Sequence, residues 1–172
     1  GEVLAMASYP TIDLTQWNEM YSIWAEDEEN TPLLNRAIQG AYQPGSTYKP
    51  LTAIAGLEEG VIDENTLIDC KHYYDRFQSR TYKCMGNHGP SDVLRAIQKS
   101  CNIFFYETGY LLGGEKEEEW AHKFGFGEKT GIELAGERAG TASGPKNREN
   151  MLENNPLLNP WQPGDVITTA IG

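Results

Sequence analysis

The stretch Gln43-Pro44-Gly45-Ser46-Thr47-Tyr48-Lys49-Pro50-Leu51, continued by Thr52-Ala53-Ile54-Ala55-Gly56-Leu57, decides how the rest of the chain is read. The turn dipeptide Pro44-Gly45 delivers Ser46 to the start of a helical pattern in which Leu51, Ile54, Ala55 and Glu58 recur at helical spacings. Lys49, three residues on, falls on the face of the Ser46 hydroxyl, one turn along. Pro50 is tolerated because the first turn of a helix has N–H groups without intrahelical partners, and Gly60 supplies the stop. A serine hydroxyl is a poor nucleophile until a base takes its proton, and a lysine does this once desolvation favours its neutral form. A helix N-terminus adds free N–H groups that favour the negative charge developing there. The same spacing also describes a serine N-cap followed by a solvated lysine, so these four residues alone leave both readings open.

Outward from this segment, 172 residues suggest one domain large enough for a hydrophobic core. A net charge of −11 and a pI near 4.7, without a Lys/Arg-rich patch, exclude a nucleic-acid binder. No stretch approaches the ~20 apolar residues of a membrane span, and Gly1-Glu2-Val3-Leu4 does not read as a signal peptide. Residues 2 to 8, an apolar run ended by Tyr9-Pro10, predict a buried strand. Residues 11 to 32 are aromatic and acidic, and Glu26-Asp27-Glu28-Glu29 reads as a solvated loop. After an irregular polar stretch, residues 69 to 90, Ser91 or Asp92 can cap a helix built on Val93, Leu94, Ile97 and Gln98. That helix delivers Lys99-Ser100-Cys101-Asn102. A second helical pattern runs from Ile103 to Gly113-Gly114.

The string from Gln39 to Pro50 resembles the active-site serine segment of class B penicillin-binding proteins, the D,D-transpeptidases that cross-link peptidoglycan. Ser100-Cys101-Asn102, 54 residues after Ser46, resembles the family's second motif, and Gly1 to Ser8 its first transpeptidase strand. The resemblance implies an α/β fold with helices packed on an antiparallel sheet. This chain would hold, as a single partial transpeptidase domain over residues 1–172, the first strand and much of the helical part. It further implies that Ser46 is the nucleophile and Lys49 its base, that Ser100 relays protons to the leaving group, and that Asn102 orients substrate and Lys49. The substrate would be a stem peptide ending in D-Ala-D-Ala, and β-lactams would acylate the same serine. Cell-wall elongation or division proteins would be partners, and the parent protein would work at the outer face of the bacterial cell membrane. A serine β-lactamase or β-lactam sensor shares the serine and lysine and stays open as a reading, as does a zinc-organised scaffold without catalysis.

Lys129-Thr130-Gly131 spells the family's third motif, but its surroundings, Gly-x-Gly-x-x-Thr-Gly-Ile-x-Leu over residues 125 to 134, resemble a different family segment, which makes Lys129 a loop lysine. The Lys-Thr-Gly strand would then lie beyond Gly172, and a chain ending before it is expected to acylate weakly or not at all. Three cysteines and a histidine, Cys70-x13-Cys84-x3-His88-x12-Cys101, form a tetrahedral zinc ligand set by residue type, although the spacing matches no common zinc finger. A disulfide with one free thiol, or thiols packed as small hydrophobes, are the alternatives by spacing. The resemblance favours zinc, since some class B members hold it in this segment. Asp69 and His72 are the alternate ligands, and His122 is expected to be solvated.

Overall fold

A computed structural model describes residues 2–77 and 81–172, which separate into two compact units, Gly1–Tyr42 with Glu128–Gly140, and Gln43–Gly127 with Thr141–Gly172. In the first unit, Asp13 caps a 3-10 turn that leads into helix α1 (Trp17–Glu26). Trp17, Tyr21 and Trp24 share one face of α1, with ring centroids 5.1 and 6.3 Å apart. Asn35 caps the short α2 (Arg36–Gln39). The Ser8 hydroxyl donates to the Leu34 carbonyl and accepts the Arg36 N–H, and the Arg138 N–H donates to Ile38. Residues 2 to 8 form no strand, contrary to the sequence expectation, and residues 2 to 7 are exposed. A strand exists only against a neighbour that takes its N–H and C=O groups, and none of the described strands lies in this unit.

The second unit is built on helices α3 (Lys49–Glu58), α4 (Val93–Gln98), α5 (Asn102–Leu112), α6 (Gly114–Lys123), α7 (Pro145–Asn154) and α8 (Asp165–Thr169). Two antiparallel pairs stand beside them: β1 (Ile68–Cys70) with β4 (Gly89–Ser91), and β2 (Tyr73–Tyr74) with β3 (Tyr82–Lys83). Helix α5 is the centre. Ile103, Phe104, Phe105 and Tyr106 are all buried in its first turns, and each phenylalanine contributes about 2 to 3 kcal/mol by leaving water. Helices α3 and α8 pack on it. At Gly109 an added Cβ would lie 2.4 Å from Ala170, so glycine is what lets α8 approach so closely. The stop of α3 is as expected, with Gly60 at φ 69° just beyond the Glu59 cap.

Helix α7 begins without a side-chain cap of its own. Glu118 of α6 supplies one, its two carboxylate oxygens accepting the N–H groups of Lys146 (2.9 Å) and Asn147 (2.7 Å). Among the described residues no helix is long and apolar enough to cross a membrane.

Candidate active site

Pro44 and Gly45 turn the chain into a single 3-10 turn, Gly45–Thr47, that runs on into α3. Ser46 stands exposed on that turn. Lys49, the first residue of α3, points inward and is only 2% exposed. Its amine meets three acceptors: Asn102 Oδ1 at 2.6 Å, the Ser100 carbonyl at 2.8 Å and Ser100 Oγ at 2.9 Å. The Phe105 ring lies 5.7 Å from Nζ. All three partners are neutral. Burial lowers the lysine below its ordinary pKa, and the thiols of Cys84 and Cys101 act in the opposite direction.

Ser100 reaches the lysine through a particular backbone turn. Helix α4, capped by Asp92 through a 2.8 Å bond to the Arg95 N–H, ends in a Schellman motif. The Cys101 N–H returns to Ala96 and the Ser100 N–H to Ile97. The motif puts Ser100 at the left-handed position, φ 50°, which glycine usually holds. There its hydroxyl accepts from Lys49 and donates to Ser46 Oγ at 2.9 Å. The helical register of residues 46 to 49 predicts neighbouring Ser46 and Lys49. The Ser100 hydroxyl, bonded to both, links them. Asn102 opens α5, and its Nδ2 donates to the Lys83 carbonyl at 3.2 Å, an acceptor shared with the Tyr106 hydroxyl at 3.1 Å. Nothing near Lys83 in the sequence signals this role.

Lys129-Thr130-Gly131 is irregular backbone in the other unit. The Thr130 N–H and hydroxyl both donate to Glu137, at 2.7 and 2.6 Å, and Lys129 is exposed. His122 is also exposed. A cavity of about 990 Å³ between α6 and α7, lined by Glu118, His122, Lys146 and Asn150 among others, includes none of Ser46, Lys49, Ser100 and Asn102.

The strands assemble a second cluster against the first. Cys70 ends β1 opposite Gly89, Cys84 follows β3, His88 precedes β4, and Cys101 sits between Ser100 and Asn102. Their ligand atoms all lie within 4.8 Å of one another, with His88 Nδ1 3.5 Å from Cys84 Sγ and 3.7 Å from Cys70 Sγ. A tetrahedral zinc with sulfur at about 2.3 Å and nitrogen at about 2.0 Å requires edges of this length, near 3.6 Å. Asp69 and His72 lie outside the cluster, Asp69 3.6 Å from Lys71 and His72 edge-on to the Tyr73 ring. Burial pushes the Cys101 thiol up to about 12. Burial also acts to raise Cys84, but the N–H groups of Gly86, Asn102 and Ile103 outweigh it and hold that thiol below its usual value. No disulfide forms, and all three cysteines are free.

The family model of the penicillin-binding protein transpeptidase domain matches residues 1–172. The chain belongs to this family. Among its relatives, the peptidoglycan D,D-transpeptidase MrdA of Escherichia coli K12 is 37% identical over 181 residues, and that of Haemophilus influenzae 38% over 186. Both alignments cover the whole of this chain but only 28% and 27% of those proteins. In structure, PBP2 of Helicobacter pylori in its complex with MreC superposes with a TM-score of 0.88 at 30% identity, over 100% of this chain and 32% of that one. Pseudomonas aeruginosa PBP2, solved with WCK 5153, gives 0.85 at 29%, over 99% and 39%. The α/β transpeptidase fold implied by the sequence is thus the fold of the neighbours, the initial strand excepted.

Proposed function

We propose that this chain carries the acylating half of a peptidoglycan D,D-transpeptidase, with Ser46 as nucleophile, Lys49 as base, Ser100 as the proton relay between them and Asn102 as the group that orients the lysine. The observation that carries it is the unbroken hydrogen-bonded chain Lys49 Nζ, Ser100 Oγ, Ser46 Oγ. With the amine neutral, Ser100 turns its proton to Nζ while accepting the proton of Ser46, whose oxygen attacks the penultimate D-Ala carbonyl. The C–N bond then breaks, the lysine proton returns through Ser100 to the departing amine, and D-Ala leaves with it. An amine of a neighbouring stem peptide takes the acyl group from Ser46. The relatives named as transpeptidases favour transfer over the hydrolysis of a β-lactamase.

The thiolates of Cys70, Cys84 and Cys101 with His88 Nδ1 suit a structural zinc, which in a closed four-ligand site supplies folding energy rather than chemistry. PBP2 of Helicobacter pylori forms a complex with MreC, and by that likeness we assign this protein a cell-wall elongation partner and a place at the outer face of the cell membrane. The test is labelling by a fluorescent penicillin, read by mass spectrometry for the adducted residue. Ser46→Ala is expected to abolish the adduct and Lys49→Ala to slow it by roughly 10² to 10⁴. Unchanged labelling of Ser46→Ala would remove the reading.

A further inference from the structure

Helix α6 carries the run Glu115-Lys116-Glu117-Glu118-Glu119, which reads as a solvated face. Glu117 is nevertheless fully buried. Its neighbours are committed elsewhere: Lys116 to Glu59 (3.3 Å) and Glu119 (3.0 Å), Glu118 to the start of α7. Glu117 Oε1 lies 2.6 Å from Thr52 Oγ1 on α3, and that hydroxyl lies 3.0 Å from the Ala170 carbonyl at the end of α8. A threonine hydroxyl has one proton for these two acceptors. Both contacts are hydrogen bonds only if Glu117 is the acid and donates to Thr52, which then donates to Ala170. Glu117 Oε2 and the Tyr48 phenol oxygen are both buried without a partner, so an ionised Glu117 would place charge on an oxygen that nothing compensates.

The far end of this chain of bonds reaches the nucleophile. Two residues beyond Ala170, the Gly172 carbonyl accepts the Gly45 N–H at 3.1 Å. Gly45, at φ 57°, immediately precedes Ser46, and a Cβ added to Gly172 would fall 2.3 Å from its carbonyl oxygen. The end of α8 is therefore pinned twice, by Thr52 at Ala170 and by Gly45 at Gly172. We propose that Glu117 is a positioning residue for Ser46: by keeping its proton and giving it to Thr52, it directs the Thr52 proton onto Ala170 and holds the Gly172 carbonyl against the nucleophile turn. The proposal rests on the reading of Ser46 as nucleophile.

Ionisation would undo the arrangement. The facing groups are Tyr48 and Thr52 from the α3 segment and the uncharged Ala170 carbonyl from α8, with no cation among them. Burial raises Glu117 to about 7. A raised folded-state value means that its stabilising contribution is complete below the ordinary carboxylate value and is lost as pH rises through about 7. Above that pH Thr52 must turn its proton to the carboxylate, and Ala170 loses its donor.

The test compares penicillin acylation and thermal melting of wild type, Glu117→Gln, Thr52→Val and Thr52→Ser between pH 5.5 and 8.5, in the protein at its natural length. Taking the ratio of variant to wild type at each pH cancels the titration of Lys49. Glu117→Gln keeps an N–H donor for Thr52 and cannot ionise. Its acylation ratio is expected near one at pH 5.5 and to rise roughly three- to tenfold by pH 8.5, below the ~10²-fold that a 1 Å misplacement can cost. Its melting temperature should lack the wild-type fall through neutral pH. Thr52→Val should acylate more slowly at every pH, with Thr52→Ser restoring the rate. A flat acylation ratio overturns the proposal, and if melting still shifts with pH, Glu117 is an acid with a structural role only. Ser46→Ala labelling like wild type would instead overturn the nucleophile reading on which the proposal rests, and the melting curves would separate that outcome from a failure of the Glu117 chain itself.

Discussion

Two regions of the second unit meet at Cys101 and are held by different forces. Around α5, burial does the holding: Phe104, Phe105, Ile167 and Ala170 are wholly out of water, and the α3 and α8 faces close on them. The corner made by the β1–β4 and β2–β3 pairs has strands of only two or three residues, too little for independent stability. Its β2–β3 half leans on aromatic contacts, Tyr74 and Tyr82 with Tyr106 at 5.7 and 5.5 Å. The other half presents three thiols and an imidazole. A helical core holds itself together under most solution conditions, whereas a corner of this kind depends on what its ligands bind. The proposed site spans both, since Lys49 opens α3 and Ser46 stands on the turn that runs into it, while Ser100 and Asn102 flank a thiol.

Metal removal should separate the two regions most sharply, because a structural zinc is worth about 10 to 16 kcal/mol in an isolated peptide. Strong chelation, or Cys84→Ser, is expected to raise amide hydrogen exchange in β1, β4 and residues 84 to 88 while the middle of α5 stays protected. Uniform protection before and after, or elemental analysis finding no zinc in protein purified without chelator, would erase the distinction.

The next prediction bears on the boundary itself. Ser100→Gly should gain about 1 kcal/mol by relieving the left-handed strain, yet lose roughly 10² or more in acylation with the relay hydroxyl. Ser100→Ala should lose the same activity without the gain. Denaturant melts beside penicillin labelling read both, and a stability gain in both variants would show that the strain argument is wrong.

The smallest effect belongs to the start of α4. Asp92→Ala removes the bond to the Arg95 N–H and is expected to lower stability by about 1 kcal/mol with acylation little changed. A large loss of labelling would mean that α4 transmits more to Ser100 than its length suggests.

What was legible in the sequence was local. Gly45, Ser46, Lys49 and Gly60 mark the start, register and stop of one helix, and Asp92 and Gly113 bound the next two, because caps and turns are written in adjacent residues. The cysteine and histidine set was legible by residue type, though not its assembly, which depends on strands of two or three residues pairing across a loop. What could not be read was pairwise and distant. The place of Ser100 in the site came through the resemblance, but its position as the hydrogen-bonded link between Lys49 and Ser46 did not, nor did the bond between Thr52 and the buried Glu117, 65 positions apart. The run at residues 2 to 8 misleads for the same reason, since apolar residues report a wish for burial but not whether a partner strand is there.

The two bonds of the Asn102 amide have a consequence for which residues can stand there. Its nitrogen end is fixed on the Lys83 carbonyl and its oxygen end on Lys49, so the amide has one orientation, and the reverse would set carbonyl against carbonyl and amine against amine. Aspartate has the same shape, yet it would set a second acceptor against the Lys83 carbonyl and bring the only carboxylate among the partners of Lys49. That charge would bind the lysine's proton as a buried ion pair and hold it against release. At this position the difference between an amide and an acid is the difference between a lysine that can shed a proton and one that keeps it.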